Sequence, residues 1–492
     1  LAVSAAAPRA LTPSGTLRDS VLWAAVAAYA VVYFLLGYVK YAAHRNFVDL
    51  GIFAQTAASA FGCFCNPIEG SHWAFHFSPI LYAVGAVVQV WHSALALVAV
   101  QAIAGALTAP PVYGIVRRYA DRKTALLAAL VALLYPPLAG VVFNDFHENG
   151  LAPAAIAWLL WAFDGGYAVA TLVFAAVALS VKEDQAFFLT AAGAIGAFAY
   201  RQDPKRRALA ITVGVAALAI LVIFFTLIQP HANANSHWAP GRFYVWGFGV
   251  SNGELVPAIA SALLQRAGYL LLAFVPLLFV PFRSRAIVLA ILPLVEVLAS
   301  TMSTTFTMGS HYAGAWIGYV FFAFALGIAS VARLDARRAH RLLYWCIGLC
   351  VLEFAVADPL HPGYFLHPPA ARDARLERFL RALPPAIDVA TQEEAYTHLA
   401  ATDPKATLLP ETFEIIDGGT VRACYILTDS EFPESVRLIE ALPLVNRLAI
   451  SKKYAVISRE GPIVLYKARS CANSSSAVPA AFGQSPLIST SL

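Results

Sequence analysis

The chain has 492 residues, of which 59% are hydrophobic and 13% charged, with a mean hydropathy of +0.66 and a formal net charge of +5. Apolar runs fill most of the first 357 residues, which excludes a water-soluble core as their destination and makes the class a polytopic helical membrane protein. The positive excess follows membrane orientation and gives no reason to invoke nucleic acid, for which no binding motif is present.

Residues 1–19 carry Arg9 and Arg18 and read as a cytoplasmic N-terminus. The apolar run after them is of full span length, so it reads as a retained anchor and not as a cleaved signal. About eleven spans are expected, near 20–39, 94–116, 124–142, 151–163, 167–181, 186–200, 208–229, 267–282, 286–300, 314–331 and 342–357. This parity puts the basic clusters "RRYADRK", "RQDPKRR", "RSR" and "ARLDARRAHR" on the cytoplasmic side. Lys and Arg then number 16 inside against 5 outside in the membrane part, as the positive-inside rule requires. Two segments decide the parity. The run after residue 151 is split at Asp164-Gly165-Gly166, a turn signal, and "SPILYAVGAVVQVW" (78–91), short and opening on Pro79, reads as re-entrant or interfacial.

The outer loops then collect the chemistry. They hold Asp49 and Gln55 in "FVDLGIFAQ", His76 in "SHWAFHFSP", Asp145 and His147 in "FNDFHENG", Lys182, Glu183 and Asp184 in "SVKEDQ", Arg242, Arg266, and His311-Tyr312 in "MGSHYAG". Eleven of the twelve histidines fall on this side, His340 being the exception. A polar turn between two apolar helices is ordinary, and Asn144 or Asp145 can serve there as a cap. Ionisable groups gathered at helix mouths on one side nevertheless read as a site, here a polar cavity facing outward. A carboxylate against an apolar wall can act as a general base, and Lys or Arg can hold a phosphate. No cofactor is required by the pattern. A divalent metal is possible because His, Asp and Glu are ligands, although compact spacings such as HExxH are absent.

From residue 358 to about 470 the composition shifts to a small α/β domain, expected to be extracytoplasmic. "AIDVAT", "ATLLP" and "ACYILTD" read as strands, "QEEAYTHLA" and "PESVRLIEAL" as helices, and "KYAVISREGPIVLYKA" as a hairpin. Residues 471–492 are small and polar and read as a disordered tail. Of the six cysteines, Cys63 and Cys65 look too close for a mutual disulfide, Cys346 and Cys350 share a helix face, and Cys424 and Cys471 can pair.

The ordered motifs "DLGIFAQ", "HFSPIL", "APPVYGIVRR", "FNDFHENGLAP", "VKEDQAFF", "SHY" and "ARDARLERFLRALPP" resemble a bacterial multi-pass family known as domain of unknown function 2079, grouped with the GT-C glycosyltransferases. The likeness runs from about residue 45 to 470. It implies a GT-C-like enzyme of the bacterial inner membrane that takes a sugar from a polyprenyl-phosphate donor and delivers it to a lipid or glycan acceptor on the non-cytoplasmic side. By the same resemblance Asp49 stands where such enzymes keep a first-loop acid, as base or acceptor-orienting group, and Asp145 matches the second outer-loop acid. Asp49 is followed by Leu50, where mannosyltransferases carry a second acid. His147 and Glu183 complete the expected catalytic set. Gln55, His76, Asp184, His311 and Tyr312 are expected to contact substrate, and Lys182, Arg242 and Arg266 to hold the donor phosphate. Two other classes remain open: a transporter or lipid flippase, for which Glu296 and Glu353 lie too near the outer ends, and a non-catalytic scaffold of envelope assembly.

Overall fold

The computed structural model describes residues 17–232, 244, 255–409, 423–432 and 453–471. The C-terminal tail, the helix expected at "PESVRLIEAL" beyond residue 432, and Arg242 lie outside the described residues. The chain divides into two compact units. One comprises residues 1–37, 73–81 and 98–363; the other comprises 38–72, 82–97 and 364–492.

Among the described residues, five helical stretches are long and apolar enough to cross a membrane: Ser20–Ala42, Leu95–Tyr119, Pro204–Ala232, His311–Leu334 and Ala336–Ala357. A sixth is reached if Arg122–Leu133 and Pro136–Phe143, bent by 48°, count as one span. The bend has a local cause, since Pro136 and Pro137 open the second helix and Pro cannot continue the hydrogen-bond ladder of the first. The expected break at Asp164-Gly165-Gly166 is present: one helix ends at Asp164, Gly166 adopts φ +73°, and the next begins at Ala168. The segment 78–91 contains the short helix Ile80–Trp91. The chain at 267–300 departs from expectation. The helix Leu255–Phe274 gives way to tight turns at Val280–Arg283 and Arg285–Ala290 before the short helix Ile291–Ala299. Leu278 and Phe279 both have positive φ, and Pro276 and Pro281 deny the helix its donors there.

In the first unit, the acids inside the basic clusters start the next helix. Asp121, Asp203 and Asp335 each accept the backbone N–H three residues on, at 2.9, 3.1 and 3.0 Å. The helix Gly314–Leu334 is the most buried of the long helices, with Trp316, Tyr319, Phe321 and Phe324 wholly enclosed. It packs on Ala152–Asp164 and Ala109–Tyr119. Small residues allow the closest approaches. A Cβ on Gly318 would fall 2.9 Å from Pro153 O, and one on Gly193 would fall 2.5 Å from Gly214 Cα in the hairpin of Glu183–Ala199 with Pro204–Ile223.

The second unit holds a short antiparallel pair, β1 (Cys65–Asn66) with β2 (Gly70–Ser71), and a five-stranded sheet, β3 (Val389–Thr391), β4 (Thr407–Leu408), β5 (Tyr425–Asp429), β6 (Tyr454–Glu460) and β7 (Ile463–Ala468), in the order β4-β3-β5-β7-β6. β3 runs parallel to β4 and β5; β7 runs antiparallel to β5 and β6. Gly461, at φ +61°, turns the β6–β7 hairpin. The helices Ala371–Arg381 and Glu393–Leu399 belong to this unit, and so does the segment 43–72 with its helix Val48–Ala58. Cys424 and Cys471 are joined by a disulfide. So are Cys63 and Cys65, against the sequence expectation. Phe64 between them takes φ +48°, and the two Cα atoms lie 5.2 Å apart, within the ordinary range for a bridge.

Candidate functional site

The first unit gathers a buried ionic cluster from three separate loops. The segment 73–81 is pinned by two bonds: Ile80 N–H donates to Ser180 O at 2.9 Å, and Gln229 Nε2 donates to Ala74 O at 3.4 Å. This pinning sets His76 Nδ1 2.8 Å from Glu183 Oε1, while the Phe77 N–H donates to Glu183 Oε2 at 2.9 Å. Lys182 is the residue preceding the helix Glu183–Ala199, and its Nζ lies 3.6 Å from Glu148 Oε1 in the "FNDFHENG" turn. Glu148, Glu183 and Asp184 are all buried.

The turn itself is held by a residue that the sequence reading passed over. Gln101, alone in "LALVAVQAIAGA", donates its amide to the carbonyls of Val141, Val142 and Asn144 at 3.0, 3.1 and 2.9 Å. Those carbonyls end the helix Pro136–Phe143 and have no partner within it. Gln101 Oε1 then accepts the His147 N–H at 3.2 Å. A buried amide in an apolar helix was the available signal, because it must find partners. On the other side, Asn144 donates to Gly309 O at 3.1 Å, and the His147 and His311 rings stack at 3.4 Å. His147 Nδ1 donates to the Asp145 carbonyl at 3.0 Å, and the Tyr312 ring lies 4.0 Å from His311. Three glycines permit this closeness. A Cβ on Gly140 would meet Gly309 Cα at 2.4 Å, and one on Gly314 would meet Asn149 O at 2.1 Å.

The electrostatics follow from the charge count of the cluster. Burial favours the neutral form of every member, yet the carboxylates of Glu148, Asp184 and Glu183 hold the Lys182 ammonium well above its ordinary range. Burial likewise opposes charge on Glu183, but His76, Lys182 and the Phe77 amide outweigh it and lower the carboxyl to about 2. His76 is raised despite burial and Lys182, through Glu183 and Glu148. Two cations therefore balance two of the three carboxylates. The third, Asp184, is driven up to about 6 by burial and by its acidic neighbours Glu183 and Glu148, against Lys182 and His76. A carboxyl with that value can take up and release a proton near neutral pH.

Several residues have other placements. Asp49 and Gln55 lie in the second unit. Asp49 is half-buried in the first turn of Val48–Ala58. Gln55, expected to contact substrate, donates to Asp403 O and Ala406 O at 2.9 and 3.0 Å and accepts from Tyr396 Oη at 2.7 Å, so its amide ties the helix Val48–Ala58 to the α/β fold. Arg266, expected to hold phosphate, lies along Ile291–Ala299 and donates to Leu298 O and Ser300 O, both at 2.6 Å, and to Ala262 O at 2.9 Å. Carbonyls at a helix C-terminus attract a guanidinium strongly, which accounts for the difference. Among the described residues, the cluster around Lys182 brings no three ligand atoms together as a metal site.

The fold has relatives among solved structures. It is similar to ArnT from Cupriavidus metallidurans in the apo state, with 14% identity, 91% of this chain and 98% of that chain covered, and a TM-score of 0.50. It is also similar, at TM-scores of 0.37 and 0.38, to two structures of the oligosaccharyltransferase of Archaeoglobus fulgidus. The first, AglB in complex with an inhibitory peptide and a dolichol-phosphate, shares 13% identity over 90% of this chain and 74% of that one. The second, a complex with Zn and sulfate, shares 14% over 89% and 73%. No curated protein matches. The likeness to ArnT is one of fold. The model of the family described as "Predicted membrane protein (DUF2079)" matches residues 45–459, and the chain belongs to that family.

Proposed function

We propose that the protein is a glycosyltransferase that takes a sugar from a polyprenyl-phosphate donor and passes it to a lipid or glycan hydroxyl on the non-cytoplasmic face of a bacterial inner membrane. The observation that carries the reading is the GT-C-like fold over nearly the whole chain, matched to ArnT across 98% of that protein. The ordered motifs agree with it. The topology that goes with it has about eleven spans, a cytoplasmic N-terminus and an extracytoplasmic C-terminal domain.

In this reading the acceptor oxygen attacks the anomeric carbon, the bond from that carbon to the phosphate oxygen breaks, and polyprenyl phosphate leaves with the bonding pair. The acceptor proton passes to a carboxylate. The motif resemblance offers Asp49, beside Gly51 and the apolar Leu50 and Ile52 in the second unit, as the base, and the first unit by itself offers Asp184. Asp145 orients the acceptor. Lys182 engages the donor phosphate: its ammonium lies 3.6 Å from Glu148 Oε1 and has three N–H donors with which to meet an incoming oxygen as well. His147, His311 and Tyr312 offer ring faces and edges to the sugar. Asp184 is a second candidate for the base, favoured by its value of about 6.

The test is a transfer assay on the purified protein in lipid nanodiscs with a panel of polyprenyl-phosphate sugars, following release of polyprenyl phosphate. Asp49→Asn is expected to cut transfer by at least about a hundredfold while leaving the fold intact. A parent-like rate in Asp49→Asn together with loss in Asp184→Asn moves the base to Asp184. Absence of transfer by the parent across the panel refutes the enzymatic reading and favours a scaffold.

A further inference from the structure

Within the second unit, at the foot of the helix Ser20–Ala42, a second set of buried groups has nothing to do with the cluster at Lys182. His44 is 2% exposed, yet neither of its ring nitrogens makes a hydrogen bond. Its Nδ1 lies 3.5 Å from Asp373 Oδ1, an oxygen that itself accepts no hydrogen bond, and its Nε2 lies 3.9 Å from Glu377 Oε2. The His398 ring stacks on His44 at 4.0 Å. His398 presents Nε2 to the Tyr41 carbonyl at 3.1 Å and Nδ1 to Glu377 Oε2 at 2.9 Å; both partners only accept, so a neutral ring satisfies one of them and sets a lone pair against the other. Two imidazole nitrogens and a carboxylate oxygen thus converge within 4.8 Å.

We infer that His44 Nε2, His398 Nδ1 and Glu377 Oε2 form a binding site for a divalent transition metal, zinc above all. Ligand atoms of a tetrahedral zinc sit about 3.3 Å apart at bonds of about 2.0 Å, a spacing these atoms reach with shifts of well under an ångström each. Two imidazoles and one carboxylate suit zinc among the common metals. Each ligand already has the outer partner that such sites use to orient it. Asp373 Oδ1 stands behind His44 Nδ1, the Tyr41 carbonyl behind His398 Nε2, and Arg381 Nε holds the other Glu377 oxygen at 2.8 Å. Asp373 is anchored in turn by the Ala370 N–H at 2.6 Å. Glu377 is partly exposed, so the metal has an entry path and a fourth position open to water. The bound ion would cross-link the start of the first outer loop to the helices Ala371–Arg381 and Glu393–Leu399. This inference is independent of the proposed transfer reaction.

The test uses the full chain, purified in detergent through a tag without histidines, stripped with chelator, reloaded with Zn(II) and freed of excess metal. Elemental analysis should find about one equivalent of zinc in the parent and in His147→Ala, and loss of it in His44→Ala, His398→Ala and Glu377→Gln. Asp373→Asn should weaken binding about 10–100-fold without abolishing it. Cobalt in place of zinc should give the visible absorption of a four-coordinate ion in the parent, a readout that does not depend on any variant folding. Zinc should raise the melting temperature of the stripped parent and leave that of His398→Ala unchanged. A parent that retains no metal, or His44→Ala and His398→Ala retaining as much as the parent, overturns the site.

Discussion

Replacing Glu183 by Gln removes one charge from the centre of the ionic cluster while keeping the side chain's size. The Glu183 carboxylate receives His76 Nδ1 at 2.8 Å and the Phe77 N–H at 2.9 Å, and it is 8% exposed, so solvent screens these interactions little. Its folded value of about 2 against 4.5 in the unfolded chain corresponds to about 3 kcal/mol of stability at neutral pH. Breaking one half of a buried charged pair costs about 3–5 kcal/mol by a separate route, and the two agree. The sign with pH is definite. Because the folded carboxyl titrates below the unfolded one, its contribution is complete above 4.5 and is lost as the pH falls toward about 2. Thermal unfolding of parent and Glu183→Gln in detergent, run from about pH 8 down to about pH 3, should show a gap that is constant down to about pH 5 and shrinks below half by about pH 3. An equally stable variant at neutral pH, or a gap that does not narrow in acid, refutes the electrostatic account of the cluster.

Asp184→Asn should act in the opposite direction: the folded carboxyl titrates at about 6, above the unfolded 3.8, so stability is lost as the pH rises from about 4 and the loss is complete above about 6. The variant should therefore melt higher than the parent at neutral and alkaline pH and alike below about pH 4, as a melting series will read. Gly140→Ala sets a Cβ 2.4 Å from the Gly309 backbone, which cannot swing aside, and should cost about 1–3 kcal/mol in the same assay. Gln101→Leu leaves the Val141, Val142 and Asn144 carbonyls without their donor and should destabilise by about 1–3 kcal/mol, with faster hydrogen exchange at residues 141–150. Arg266→Lys should lower stability because one ammonium cannot reproduce the three carbonyl bonds of the guanidinium, and a transfer rate lost without any loss of stability would restore Arg266 to the phosphate site.

The membrane class, the helix break at Gly166 and the β6–β7 hairpin were all legible in the sequence, whereas 124–142 read as one span and is bent at Pro136. Each depends on hydropathy or backbone preference within a window of some twenty residues or fewer, and such preferences act locally. The polar motifs could likewise be found as a set, because ionisable groups amid apolar runs stand out by composition alone. Their partners could not be read there. His76 meets Glu183 across 107 positions, and Gln101 meets the 141–147 turn across 40 to 46. Gln55 and Arg266, which carry the same donor groups as any ligand-binding residue, are instead taken up by backbone carbonyls of other segments. His44, Glu377 and His398 lie more than 300 positions apart at their widest and show no local spacing that betrays a metal site. A buried polar atom must find a partner, but which one depends on the chain segments that long-range packing brings within about 3 Å, and only the tertiary structure decides that.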